Sequence, residues 1–338
     1  MKRFFKYTEP LVLESGDCFP EAEICFHTSE LTNEEQKPVV WICHALTANS
    51  NPEEWWPGLV GKGKLFDPER FYIVCANIFG SSYGSTSPLS INPSTGKPWL
   101  NDFPLVTIRD WAKAHEVLCK YLNINRIHTL IGGSIGGFQA MEWAIAQPDR
   151  IQHLVLLVTS YYSNPWSIAI NEAQRMAMEA DASFFSGDPD GGKAGLAAAR
   201  AIGMLSFRGY KAFVITQSEE DIHKTLGFRA SSYQRYQGEK LSKRFSSHCF
   251  YSITRSQDSH HVGRGRDGAA KALGRIKAHT LVLGVSSDIL FPPPEQEELS
   301  RLIPQARLYI MDSAFGHDGF LIENEMIQNL ILEFWQEA

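Results

Sequence analysis

The chain has 338 residues, 43 % of them apolar and 21 % charged, with eight tryptophans, which is enough to bury a full hydrophobic core. A formal charge of −6 offers no broad attraction for nucleic acid or an anionic membrane surface, and no apolar run reaches transmembrane length. The six cysteines (Cys18, Cys25, Cys43, Cys75, Cys119 and Cys249) lack metal-like spacing and several lie in apolar runs, which predicts free, buried thiols rather than disulfides.

The N-terminal residues Lys2, Arg3 and Lys6 are basic, but Thr8, Glu9 and Pro10 interrupt any signal-like apolar stretch, so a cytoplasmic protein is expected. Residues 11–13 and 21–26 read as antiparallel strands around the turn Ser15-Gly16-Asp17. Short, almost wholly apolar runs follow at 39–43, 71–76, 127–131, 154–158 and 280–285. They lack the period-two alternation of a half-exposed strand and suit a mostly parallel sheet with helices on both faces. Residues 110–121 form a helix before the third run; residues 138–147 form one after it, stopped by Pro148, which cannot extend the hydrogen-bond ladder. The segment 81–102, rich in Gly, Ser, Asn and Pro, is too long for an ordinary connection and is expected to wall a pocket.

Between Ser160 and His261 the strand rhythm gives way to helical stretches at 166–180, 195–207 and 228–244. The reading is a helical cap at 161–260 inserted into a core built from 1–160 and 261–338, with a simple second domain as the alternative. Arg200, Arg208, Arg235 and Arg244 lie in or near this cap, where an inward guanidinium would grip a carboxylate in bidentate fashion. Arg264-Gly265-Arg266 reads as a solvated loop.

The run 127–131 leads straight into Gly132-Gly133-Ser134-Ile135-Gly136-Gly137. Small residues on both sides place Ser134 at a sharp strand-to-helix turn that pushes its hydroxyl toward a ligand. A serine there argues against a dinucleotide site, where a phosphate needs bare backbone. Ser287-Asp288 closes the run 280–285, and Gly316-His317-Asp318 follows the run 307–311. Ser134, Asp288 and His317, each after a strand, stand in the chain order of an α/β-hydrolase triad, and the fold class is therefore α/β with an inserted helical cap. His317 is assigned as the base that activates Ser134, and Asp288 as the group that orients His317. The amides of Ile135 and Leu46 are expected to form the oxyanion hole, and His44 to order the loop that carries Leu46. Such chemistry requires no metal and no permanently bound cofactor.

The segments Cys43-His44-Ala45-Leu46-Thr47, Asn77-Ile78-Phe79-Gly80 and Tyr83-Gly84-Ser85-Thr86 resemble the homoserine O-acetyltransferase family. So do the extended elbow through Trp143, Tyr233-Gln234-Arg235-Tyr236-Gln237-Gly238-Glu239-Lys240, and Gly316 to Leu321, so the likeness spans nearly the whole chain. The resemblance implies acetyl transfer from acetyl-CoA to L-homoserine in methionine biosynthesis, with the acetyl group carried on Ser134. It also implies that Arg200 binds the homoserine carboxylate, that Asp318 holds its amino group, and that the enzyme is a homodimer. Two departures stand out: Ser206-Phe207-Arg208 lacks the family's tyrosine hydroxyl, and Gly80-Ser81-Ser82 replaces a cysteine-containing loop. Homoserine O-succinyltransferase is the nearest rival, since one triad serves either donor. A serine-triad esterase or thioesterase is the second, and a non-catalytic binding protein the third.

Overall fold

The computed structural model describes residues 1–337. Eight strands form the central sheet: β1 (Lys2–Tyr7), β2 (Ala22–Thr28), β3 (Val39–Cys43), β4 (Tyr72–Ala76), β5 (Ile127–Gly133), β6 (Ile151–Leu157), β7 (His279–Val285) and β8 (Ala306–Met311). Their spatial order is β1-β2-β4-β3-β5-β6-β7-β8. Strand β2 runs antiparallel to both its neighbours, and every other pairing is parallel. The residues of β3 and β4 are buried throughout because helices cover both faces, whereas the edge strands β1 and β8 alternate in burial. Alternate residues of one strand feed opposite layers of core: Trp41 packs with Trp111, Phe138 and Trp143 on one face, and Val40 and Ile42 with Trp56, Ile131 and Phe334 on the other.

Helix α1 (Ile108–Tyr121) starts where the Asp110 carboxylate accepts the Thr107 N–H at 2.8 Å, satisfying a donor that the first turn leaves free. Helix α2 (Ile135–Ala146) springs directly from β5. The longer helices between β6 and β7 are α3 (Pro165–Glu179), α4 (Lys193–Phe207), α5 (Tyr210–Gln217), α6 (Arg229–Ser242) and α7 (Ser247–Asp258), and the short helix Ala269–Leu273 leads into β7. The two ends of this insertion are joined by an antiparallel bridge, Tyr162 to His261, with Ser163 N–H donating to the His260 carbonyl at 2.9 Å and Val262 N–H to the Tyr161 carbonyl at 3.0 Å. Helix α8 (Pro293–Leu302) lies between β7 and β8, the short turn of helix Gly319–Ile322 follows β8, and α9 (Asn324–Glu337) comes last; no helix of the described residues is long and apolar enough to cross a membrane.

One expectation is overturned and another refined. Residues 11–13 do not pair with 21–26: Leu11–Val12 folds onto Cys18–Phe19 as a small hairpin, with Gly16 at φ +94° in its turn. Strand β2 pairs instead with β1, the basic N-terminal segment. The loop Arg264-Gly265-Arg266 is exposed at Arg264 and Gly265, as a solvated loop should be, but its arginines are also ion-paired. Arg264 bonds Glu14 at 2.7 Å, and Arg266 joins Arg109 on the buried Glu142 at 2.7 and 3.3 Å, tying the base of the insertion to α1 and α2. All six cysteines are unpaired; Cys18 is exposed and the rest are buried.

Candidate active site

Ser134 occupies the junction of β5 and α2 at φ +57°, ψ −125°, a conformation that L-residues seldom adopt. The strain is held by hydrogen bonds on both sides: Ser134 N–H donates to the Leu157 carbonyl at 2.9 Å, and Thr159 Oγ1 donates to the Ser134 carbonyl at 2.8 Å. The helix must also approach the end of β3 closely. A Cβ on Gly136 would stand 2.2 Å from the Cys43 carbonyl oxygen, so only glycine fits there.

Asp288 and His317 come from the loops after β7 and β8 and are both buried. Asp288 Oδ2 accepts from His317 Nδ1 at 2.8 Å, while Oδ1 accepts from the amides of Leu290 at 2.8 Å and Phe291 at 3.1 Å. The carboxylate therefore holds the proton on Nδ1 and leaves Nε2 as the basic nitrogen. Ser287 braces the two loops together, donating to the Ser313 carbonyl at 2.5 Å and accepting from Gly316 N–H at 3.0 Å. Gly316 sits at φ +65°, where a Cβ would lie 2.4 Å from the Gly209 nitrogen, so the histidine loop presses directly on the start of α5. The rings of Phe207, Phe291 and Phe320 surround the imidazole with centroids 5.6–6.1 Å away and keep it dry.

The Leu46 and Ile135 N–H groups donate to no protein acceptor among the described residues, and both flank the elbow. His44 orders their loop: Nδ1 donates to the Ala45 carbonyl at 2.8 Å and Nε2 accepts from Ile78 N–H at 3.2 Å. Burial pushes its pKa down to about 4, which suits a neutral structural ring.

Ser134 and His317 open onto a cavity of about 520 Å³ that Leu46, Arg200, Phe207, Arg244, Gln257 and Asp318 also line. Arg200 lies over the Phe207 ring, its guanidinium carbon 5.3 Å from the centroid, and makes no hydrogen bond to the protein among the described residues. Burial draws its pKa below the ordinary guanidinium value, with nearby Asp318 opposing the shift. Burial raises the Asp318 carboxyl, and Arg208, His317 and Arg200 oppose that rise. Arg208 and Asp318 are in ion contact at 3.0 Å. Of the other cap arginines, Arg244 stands at the cavity mouth and donates to the Thr47 carbonyl at 2.7 Å, whereas Arg235 is exposed on the cap surface. From the segment 81–102 only Tyr83 lines the cavity.

The family described as alpha/beta hydrolase fold matches residues 38–323. A homoserine O-acetyltransferase of Cyclobacterium marinum is 44 % identical over 336 residues, covering 99 % of this chain and 95 % of that protein. The chain belongs to the homoserine O-acetyltransferase family. The solved homoserine O-acetyltransferase of Bacillus anthracis superposes with a TM-score of 0.89 at 21 % identity, covering 99 % of this chain and 97 % of that one. Esterase E22 superposes almost as well, with a TM-score of 0.88 at 22 % identity and 99 % of both chains covered. These two likenesses carry the fold alone, and that fold is shared by a transferase and an esterase. In this member of the homoserine O-acetyltransferase family, sequence reasoning missed Asn171 and Gln257 on the cap wall. Gln257 continues the buried face of Phe250 and Ile253, but as a polar residue beside Asp258 it reads as solvent-facing in the sequence.

Proposed function

We propose that the protein transfers an acetyl group from acetyl-CoA to the hydroxyl of L-homoserine through an acetyl-Ser134 intermediate. In the first half-reaction His317 Nε2 takes the Ser134 proton as Oγ attacks the thioester carbon. The amides of Leu46 and Ile135 stabilise the resulting oxyanion. The C–S bond then breaks, the proton passes to the departing sulfur, and CoA leaves. In the second, His317 takes the homoserine hydroxyl proton, the alkoxide attacks the acetyl carbon, and the proton returns to Ser134 Oγ as the ester departs. Asp288 stays ionised and stabilises the imidazolium in both steps.

One observation carries this reading beyond acyl chemistry in general: Arg200, a charged group without a hydrogen-bond partner among the described residues, lines the same cavity as Ser134. A cation so placed needs an anion, and the carboxylate of an amino-acid acceptor supplies it. Asp318 would receive the acceptor's ammonium in competition with Arg208. Mixing the protein with acetyl-CoA and homoserine should release CoA and O-acetyl-homoserine in equal amounts. Acyl-donor hydrolysis indifferent to homoserine would assign an esterase instead, and preferential use of succinyl-CoA would assign the succinyl enzyme.

Placement in the methionine pathway and in the cytoplasm belongs to the same proposal, and the unpaired thiols support a reducing compartment. The cap also leaves Tyr210, Ile215, Ile222 and Leu226 at least 70 % exposed. An apolar surface of this kind supports a homodimer joined through the cap, which light scattering at micromolar concentration tests.

A further inference from the structure

Gln257 is the last glutamine of α7 and only 5 % exposed, yet its side-chain amide makes no hydrogen bond within the described residues. Nor is the amide sealed in the core: it opens onto the cavity shared by Ser134, His317 and Arg200. Its position is fixed. The Gln257 carbonyl accepts from Ser163 Oγ at 2.5 Å, and the adjacent Asp258 binds Asn171 Nδ2 at 2.7 Å and Arg175 at 2.6 Å. With its backbone anchored and its amide free of protein partners among the described residues, Gln257 has hydrogen-bonding capacity left for whatever partner occupies the cavity.

The cap wall indicates what that partner is. Ile170 and Asn171 line the cavity from α3. One turn further, Gln174 adjoins Gly203 on α4, and Gly203 adjoins the Phe207 ring that supports Arg200. Gln257, held beside Asn171 through Asp258, therefore continues the wall that carries Arg200. The Leu46 and Ile135 amides, assigned above to the oxyanion, come from the sheet core and not from the cap. We infer that Gln257 is a further recognition residue for the acceptor, its amide hydrogen-bonding the charged end of the amino acid beside Arg200. A primary amide offers both donor and acceptor, so it can serve either the carboxylate or the ammonium of that end.

This inference rests on the acetyl-transfer reading, and the test separates the two. Wild-type protein is first shown to make O-acetyl-homoserine; failure there removes the reading itself. The near-isosteric Gln257→Met and the smaller Gln257→Leu are then assayed in each half-reaction, with CoA release in the absence of acceptor reporting acylation of Ser134. The expected result is a homoserine KM raised about tenfold or more, the size of a hydrogen bond to a charged group, with the acylation rate within about twofold of wild type. An unchanged KM in either folded variant overturns the inference. So does a changed preference between acetyl-CoA and longer acyl donors at constant homoserine KM, because the amide would then face the acyl chain. Should Gln257→Leu lose both half-reactions through misfolding, Gln257→Met decides.

Discussion

Replacing Arg200 by alanine separates recognition from chemistry. Among the described residues the guanidinium has no hydrogen-bond partner, so its removal breaks no direct pair with a carboxylate; the loss falls on whatever anion enters the cavity. A charge-assisted contact to a carboxylate in a partly desolvated pocket is worth about 2–4 kcal/mol, hence roughly 30- to 1000-fold in kcat/KM for homoserine. Acylation of Ser134 by acetyl-CoA, followed as a burst of CoA, is expected to stay within about threefold of wild type. Stability should barely move. The truncation forfeits the contact with Phe207, about 0.5–2 kcal/mol, but also relieves a buried charge of its desolvation cost. Arg200→Lys should recover part of the homoserine term, since a point charge replaces a planar fork. Equal collapse of both half-reactions, or a large fall in Tm, would refute the reasoning and make Arg200 a structural residue.

Asp288→Asn should lower kcat by about 10³-fold or more in both half-reactions, because an amide no longer fixes the proton on His317 Nδ1; pre-steady-state CoA release measures it, and near-normal rates would exclude the assigned role. Phe207→Leu removes the ring beneath Arg200 and should raise the homoserine KM severalfold, about 0.5–2 kcal/mol, with a smaller loss in Ser134 acylation because Phe291 and Phe320 still pack the imidazole; steady-state kinetics decide. Acid should destabilise the fold. His44 and His115 are pushed down to about 4 by burial, below the ordinary 6.5, so the unfolded chain takes up their protons first as pH falls. Their contribution is intact above pH 6.5 and lost between 6.5 and 4, on the order of 3 kcal/mol for each ring; urea midpoints flat across that range would contradict it.

The central strands were legible because burial on both faces leaves uninterrupted apolar runs, as in Val39–Cys43 and Tyr72–Ala76. The elbow was legible because close approach at Gly136 admits no side chain, which leaves a local signature. Strand β1 was not. Its alternating charged and aromatic residues suit an edge, and only the distant partner β2 makes it a strand. Helices α5 and α7 were also missed. In α7 the apolar residues Cys249, Phe250 and Ile253 are buried together with Ser247, Ser252, Thr254 and Ser256, and those hydroxyl residues dilute the pattern in the sequence. The ion contacts Arg266–Glu142 and Arg208–Asp318 join residues far apart in the chain, and nothing local in the sequence announces such pairs.

The bridge between Tyr162 and His261 brings both ends of the insertion to one point, so the chain leaves the sheet and returns almost where it departed. Loop-closure entropy grows only slowly with the length of what lies between, and β6 and β7 pair whatever its size. Ser134, Asp288 and His317 are carried by the sheet, whereas Arg200 and Gln257 are carried by the excursion. Most of the proposed acceptor contacts can therefore change without touching the bond-making machinery, with Asp318, next to His317 on the loop after β8, the one that ties the two together.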